Sequence, residues 1–258
     1  MFVRRFASAL AFCAFALCAA GANAGEQQNI PATAQTPQLP AYVARPTSSA
    51  PAPGVIVLHG CEGYRAHYGA VADWLASHGY VAVAIDTLTP RGVTNACQDK
   101  SGSRIEARDA LATLAWMRQQ PYVDPTRLAV LGYSMGAIAT LDIVDPKSGV
   151  AAPPGVRAGV AYYPACRNRI AANVNAPLRI LDGDADTWTP APPCQALAQA
   201  ATAAGKTVVI TTYPGATHAF NVKGPDRTAY GHALRYDPSA AADAQMQTLA
   251  FLSLAFRK

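Results

Sequence analysis

Charge is scarce in this chain. Asp, Glu, Lys and Arg make up 14% of its 258 residues, against about a quarter in an ordinary soluble domain. There is no lysine or arginine run and no basic stripe interleaved with aromatics, so the footprint of a nucleic-acid binder is missing. Beyond the first twenty residues, no apolar run approaches the roughly 20 residues that a bilayer span needs, so stable membrane insertion is not expected. There is no H-E-x-x-H, and the cysteines do not fall in close pairs, so no metal site is expected. No G-x-G-x-x-G follows a strand, so no dinucleotide cofactor is expected either. Histidine occurs only five times, which makes the search for a general base short.

The N-terminus has its own pattern. Arg4 and Arg5 precede an apolar stretch from Phe6 to Ala20, and Ala22-Asn23-Ala24 has the small-x-small form of a signal-peptidase site. Residues 1–24 are read as a secretory signal peptide, with an uncleaved anchor as the competing reading. Neither Cys13 nor Cys18 has the preceding small residue that a lipoprotein signal needs. Loss of the leader removes two arginines and no acid, which lowers the formal charge from +5 to +3. An exported product, periplasmic or secreted, is expected. Residues 25–40 are rich in Pro, Gln, Thr and Ala and read as a flexible segment. Residues 41–258 read as a single domain, opening on an edge strand around Tyr42–Ala44.

From Val55 onward, short apolar runs alternate with helical periodicity. Val55–His59, Tyr80–Ile85, Leu128–Tyr133, Val156–Tyr162, Leu178–Leu181 and Val208–Tyr213 read as strands. Tyr68–His78, Ile105–Gln119, Met135–Val144, Ala191–Ala204 and Ala240–Phe256 read as helices, and Val123–Arg127 as a turn. Continuous apolar strands separated by helices describe a doubly wound, mostly parallel α/β sheet with helices on both faces. Ligands in such sheets bind beyond the carboxyl ends of the strands.

At one such end stands Gly132-Tyr133-Ser134-Met135-Gly136. This is G-x-S-x-G placed strand–turn–helix, the nucleophile elbow. A serine needs a base, and the base needs an orienting acid. His218 follows the last core strand through Pro214-Gly215-Ala216-Thr217 and is the candidate base. His59 reads as shaping the loop after the first core strand. His67 and His78 read as solvated, and His232 lies in a polar loop. Asp182, Asp184 and Asp186 follow strand Leu178–Leu181; Asp186 is the preferred acid, with Asp184 second. Backbone N–H groups of Cys61 and Met135 are the candidate oxyanion donors. Tyr133 in the elbow and Trp188 in the acid loop are candidate substrate contacts.

With these residues in place, the chain resembles the dienelactone hydrolase family of α/β-hydrolases. The matching segments are VIVLHGCEG, GYVAVAIDTLTPRG, VDPTRLAVLGYSMG, LDGDADTWTPAPPC and YPGATHAF. The resemblance covers roughly residues 40–256. It implies ester or lactone hydrolysis through an acyl-enzyme, without a cofactor, by Ser134, His218 and Asp186. Dienelactone hydrolases carry a cysteine nucleophile where this chain has Ser134. They also hold the substrate carboxylate with arginines. Arg91 is the candidate for that part; no arginine follows His218 closely, and the nearest basic residue is Lys223. An exported serine carboxylic-ester hydrolase, monomeric or weakly dimeric, is therefore expected. A polyester- or cutin-degrading enzyme is the substrate variant. A non-catalytic small-molecule-binding protein on the same fold is the reading from a different class.

Four cysteines follow the leader, and export makes disulfides plausible. Cys61 and Cys97 lie in loops after two consecutive strands, and Cys166 and Cys194 lie after two others. Loops from neighbouring parallel strands emerge at the same end of the sheet, which predicts Cys61–Cys97 and Cys166–Cys194.

Overall fold

A computed structural model describes residues 24–99, 101–150 and 152–257. The leader, apart from Ala24, lies outside the described residues. The strands are β1 (Glu26–Ile30), β2 (Leu39–Ala44), β3 (Ala52–Leu58), β4 (Val81–Ile85), β5 (Val123–Tyr133), β6 (Val156–Tyr162), β7 (Leu178–Gly183), β8 (Val208–Tyr213), β9 (Arg227–Ala229) and β10 (His232–Leu234). The helices are α1 (Ala66–Ser77), α2 (Gly102–Met117), α3 (Met135–Val144), α4 (Pro192–Ala203) and α5 (Pro238–Phe256). Eight strands form one sheet in the order β1-β2-β4-β3-β5-β6-β7-β8. The β1–β2 and β2–β4 pairs are antiparallel and the other five are parallel. The α/β-hydrolase fold expected from the sequence is present. β9 and β10 form a separate antiparallel hairpin.

The two-residue period of a strand explains the layers. Val55 and Val57 of β3 face α1 and α5, packing with Ala72, Leu75, Ala244 and Leu252. Ile56 and Leu58, on the opposite face, pack with Ala107, Ala110 and Leu114 of α2 and with Ala139 and Ile143 of α3. A third cluster joins α3 to α4 over β6 and β7 through Leu141, Ile180 and Leu197. Helix ends follow local chemistry. Pro192 and Pro193 open α4, where the missing N–H costs nothing. Asp237 caps α5 by accepting from the N–H groups of Ser239 and Ala240, which satisfies two donors of the first turn. No helix among the described residues is long and apolar enough to cross a membrane.

Two expectations need correction. Residues 25–40 are not simply a flexible segment: Glu26–Ile30 pairs along its length with Leu39–Val43. Ile30 and Leu39 are buried in the face that carries α2, which is what holds this polar-looking strand. β2 is thus internal to the sheet, and β1 is its edge. The expected turn at Val123–Arg127 is instead the start of β5, where the pairing with β3 shifts register.

Candidate active site

The elbow sits where β5 passes directly into α3. Ser134 has φ 51° and ψ −109°, a conformation that L-residues adopt only under constraint. Both glycines are required by space. A Cβ on Gly132 would strike the Gly136 carbonyl, and one on Gly136 would lie 2.6 Å from the Leu58 carbonyl oxygen. The bend leaves the Ser134 hydroxyl at the carboxyl end of the sheet, beside the His218 ring.

His218 Nε2 is 2.9 Å from Ser134 Oγ, and its Nδ1 is 2.7 Å from Asp186 Oδ2. His218 and Asp186 are each only 3% exposed. Asp186 Oδ1 accepts from the N–H groups of Trp188 and Thr189 at 2.8 and 2.9 Å. Burial alone would raise the Asp186 carboxyl. The hydrogen bond and charge of His218, with those two N–H groups, outweigh it and hold the carboxyl below its ordinary value. An ionised acceptor at Nδ1 keeps the proton on that nitrogen and leaves Nε2 free to accept from Ser134. The imidazole lies between the rings of Tyr163 and Trp188, at 4.6 and 4.9 Å between centroids. Asp184 does not reach it. Its carboxylate takes the Gly215 N–H at 2.6 Å and pins the loop that carries His218. Asp182 is buried at the end of β7, and burial first, then the nearby Asp186 charge, raise it to about 8.

The loop after β3 supplies the facing wall. Cys61 N–H donates to no protein acceptor among the described residues, and Met135 opens α3, where its N–H lacks an intrahelical partner. The Gly60 carbonyl, in the same peptide unit as the Cys61 N–H, accepts from His59 Nδ1 at 2.8 Å. His59 Nε2 in turn accepts from the Thr87 N–H at 3.2 Å. His59 therefore fixes the plane of the peptide that carries the candidate donor. Glu106 Oε1 lies 3.6 Å from His59 Nδ1, with both side chains fully buried. Burial raises Glu106 well above its ordinary value and lowers His59, so it disfavours the charged form of each partner.

Disulfides join Cys61 to Cys97 and Cys166 to Cys194, the pairings expected from loop adjacency. The first anchors the loop bearing the Cys61 N–H. The second ties the segment after β6 to the start of α4, beside the Asp186 loop.

These groups line a small cavity of about 70 Å³ bordered by Ser134, His218, Cys61, Tyr133 and Trp188. Arg91 is not among its lining residues. Its guanidinium binds both oxygens of Asp109, at 2.7 and 2.9 Å, and also donates to the Thr87 carbonyl; a buried carboxylate captures it. The cation at the cavity is instead Arg227 of β9, paired in bidentate fashion with Glu62 at 2.9 and 2.7 Å. Its hydrogen bonds and charge lower Glu62. Sequence reading passed over Arg227 because a hairpin folds it back across the site from a distant loop. His67, read as solvated, is a wall of the cavity, its ring 4.0 Å from that of Tyr68. His232 stacks on Trp188 at 5.2 Å. Tyr163, which closes over His218, was also missed; it follows β6 directly, so its place at a strand end was the available signal.

The family model of the dienelactone hydrolase family matches residues 39–256. The chain belongs to the dienelactone hydrolase family. It is 30% identical to a Methylorubrum extorquens protein named a carboxymethylenebutenolidase, over 71% of this chain and 68% of that one. It is 29% identical to a cutinase of Thermobifida fusca over 53% of this chain, and so spans only 42% of the cutinase. A crystal structure described as a dienelactone hydrolase from Klebsiella pneumoniae superposes with a TM-score of 0.73 at 26% identity, covering 89% of this chain and 98% of that one. Esterase 2 of Thermogutta terrifontis, at 18% identity and a TM-score of 0.67, shares the fold.

Proposed function

We propose that this dienelactone hydrolase family member is an exported serine hydrolase that cleaves carboxylic esters or lactones through an acyl-enzyme. The observation that carries the reading is the unbroken hydrogen-bond chain from Ser134 through His218 to Asp186. Ser134 Oγ attacks the carbonyl carbon while His218 Nε2 takes its proton. The carbonyl electron pair moves onto oxygen, where the Cys61 and Met135 N–H groups receive it. Collapse of the intermediate expels the alcohol, protonated by the imidazolium. Water then repeats the sequence on the acyl-serine. Asp186 orients the ring and stabilises its charged form.

Two features shape the substrate reading. Arg91 is held by Asp109, and Arg227, the arginine that lines the cavity, by Glu62. The remaining walls are mostly apolar, built from Tyr133, Tyr163 and Trp188 with Ala219, Val222 and Leu234. This favours neutral esters over carboxylate-bearing lactones. Polyester cleavage is a second reading, supported by the likeness to the Thermobifida cutinase. Export is supported by the two disulfides, which persist in oxidising compartments.

A panel of short-chain esters, lactones and polyester particles, assayed with wild type and Ser134→Ala, tests the proposal. Wild-type turnover of neutral esters that Ser134→Ala lacks is expected. No turnover of any member, or equal turnover by the variant, would overturn it.

A further inference from the structure

One buried hydroxyl in the cavity has no part in the scheme above. Tyr68, in the first turn of α1, is 6% exposed, and its ring lies against His67, Tyr133 and Tyr64. The Gly60 N–H donates to its phenol oxygen at 2.7 Å. No acceptor among the described residues takes the phenol's own hydrogen. The space that a side chain on Gly60 would fill shows where this hydroxyl stands. That point is 3.2 Å from the Tyr68 oxygen, 3.7 Å from Ser134 Cβ and 3.8 Å from the Tyr133 carbonyl oxygen. The hydroxyl and the candidate nucleophile thus border the same small volume, next to the peptide that presents the Cys61 N–H. Gly60 lacks a side chain at the place where one would screen the phenol from Ser134.

We propose that the Tyr68 hydroxyl is a third donor to the ester carbonyl oxygen, acting with the Cys61 and Met135 N–H groups as negative charge develops there. The proposal rests on the ester-hydrolase reading of Ser134. Three physical points support it. Accepting the Gly60 N–H polarises the phenol and strengthens it as a donor. Burial, partly offset by that hydrogen bond, holds the phenol far above the ordinary tyrosine value, so the donated hydrogen is present at every working pH. A donor fixed on a helix and wedged among aromatic rings needs no reorganisation during the reaction, the condition under which such hydrogen bonds stabilise a transition state most. No proton is transferred from Tyr68. Ser134 still loses its proton to His218 Nε2, and the phenol only shares its hydrogen with the oxyanion.

The rival role is a structural brace: Tyr68 accepts the Gly60 N–H and does nothing else. Three measurements on the full-length mature enzyme separate the two. Tyr68→Phe is expected to lower kcat on a short-chain ester on the order of 10²-fold with KM little changed. The preference for an ester over its thionoester, whose sulfur accepts hydrogen bonds poorly, is expected to shrink in that variant. Incorporation of 3-fluorotyrosine at position 68 makes the phenol a better donor and a poorer acceptor, so kcat is expected to hold or rise. An unchanged ester-to-thionoester ratio in Tyr68→Phe, or a fall in kcat with 3-fluorotyrosine, would overturn the proposal in favour of the brace. These outcomes are read against a wild type that is active through Ser134. A wild type that hydrolyses no ester would remove the hydrolase reading, and this inference with it.

Discussion

At the scale of single residues, the proposed chemistry assigns unequal roles to groups that look alike in the sequence. Five histidines occur, yet only His218 hydrogen-bonds a serine hydroxyl through one ring nitrogen and a carboxylate through the other. Ser134→Ala and His218→Ala should each lower kcat/KM by about 10³-fold or more, because members of such a set act as a unit. Asp186→Asn should also be severe. Asp184→Asn should act mainly on stability, since Asp184 braces the Gly215 turn and does not touch the imidazole. Steady-state kinetics on the four purified variants check this, and a larger loss for Asp184→Asn than for Asp186→Asn would reassign the acid. Arg91 gives the opposite pattern. Arg91→Ala leaves the fully buried Asp109 carboxylate without its cation and should destabilise the fold by about 3 kcal/mol. Its kcat/KM per folded molecule should stay within about twofold. Denaturant melts paired with kinetics test it, and a selective rise in KM at unchanged stability would restore Arg91 as a substrate contact.

At the scale of elements, what the sequence makes legible follows from locality. The parallel strands read as unbroken apolar runs because both faces are covered, and β6 and β8 match the expected limits. The elbow was legible because its glycines answer a local steric demand that any chain making this bend must meet. The β1 strand was missed because its sequence, Glu-Gln-Gln-Asn-Ile, is polar; Ile30 alone is buried, and pairing with β2 supplies the rest. The β9–β10 hairpin was missed for a related reason. Its six residues are held by distant contacts that no window contains: Arg227 reaches Glu62, 165 positions away, and the buried Leu234 bridges to His218. The cysteine pairing was legible because strand order dictates which loops are neighbours. This makes the disulfides testable as loop anchors. Loops of 36 and 28 residues are closed, each contributing about 4 kcal/mol in the chain-entropy view. Cys166→Ser with Cys194→Ser should lower the melting temperature. Cys61→Ser with Cys97→Ser should lower kcat as well, since it frees the loop that carries the Cys61 N–H. Equal kcat for the second pair and wild type would show that the loop holds its shape without the bridge.

At the scale of the whole molecule, buried acids set how stability varies with pH. A carboxyl whose folded-state pKa lies above its unfolded value binds its proton more tightly in the folded chain. For Asp182 that contribution is fully present below the ordinary aspartate value of about 4 and is lost as pH rises through about 8. Glu106, raised by complete burial, acts in the same direction. Asp186 is shifted the other way, so its contribution holds above the ordinary value and is lost only as the solution becomes more acidic than that. The melting temperature should therefore fall between pH 5 and pH 9, and Asp182→Asn should flatten that fall. An identical slope in the variant would contradict the assignment of a protonated Asp182. The same tertiary structure converges three distant loops on Ser134, and in the proposed function this convergence makes it a nucleophile. Intact-mass analysis of the protein after treatment with an alkyl organophosphonate, followed by peptide mapping, tests this. One adduct per chain on Ser134 is predicted, absent from Ser134→Ala and forming much more slowly in His218→Ala. No adduct, or an adduct on another residue of a protein that still hydrolyses esters, would show that Ser134 is not the nucleophile.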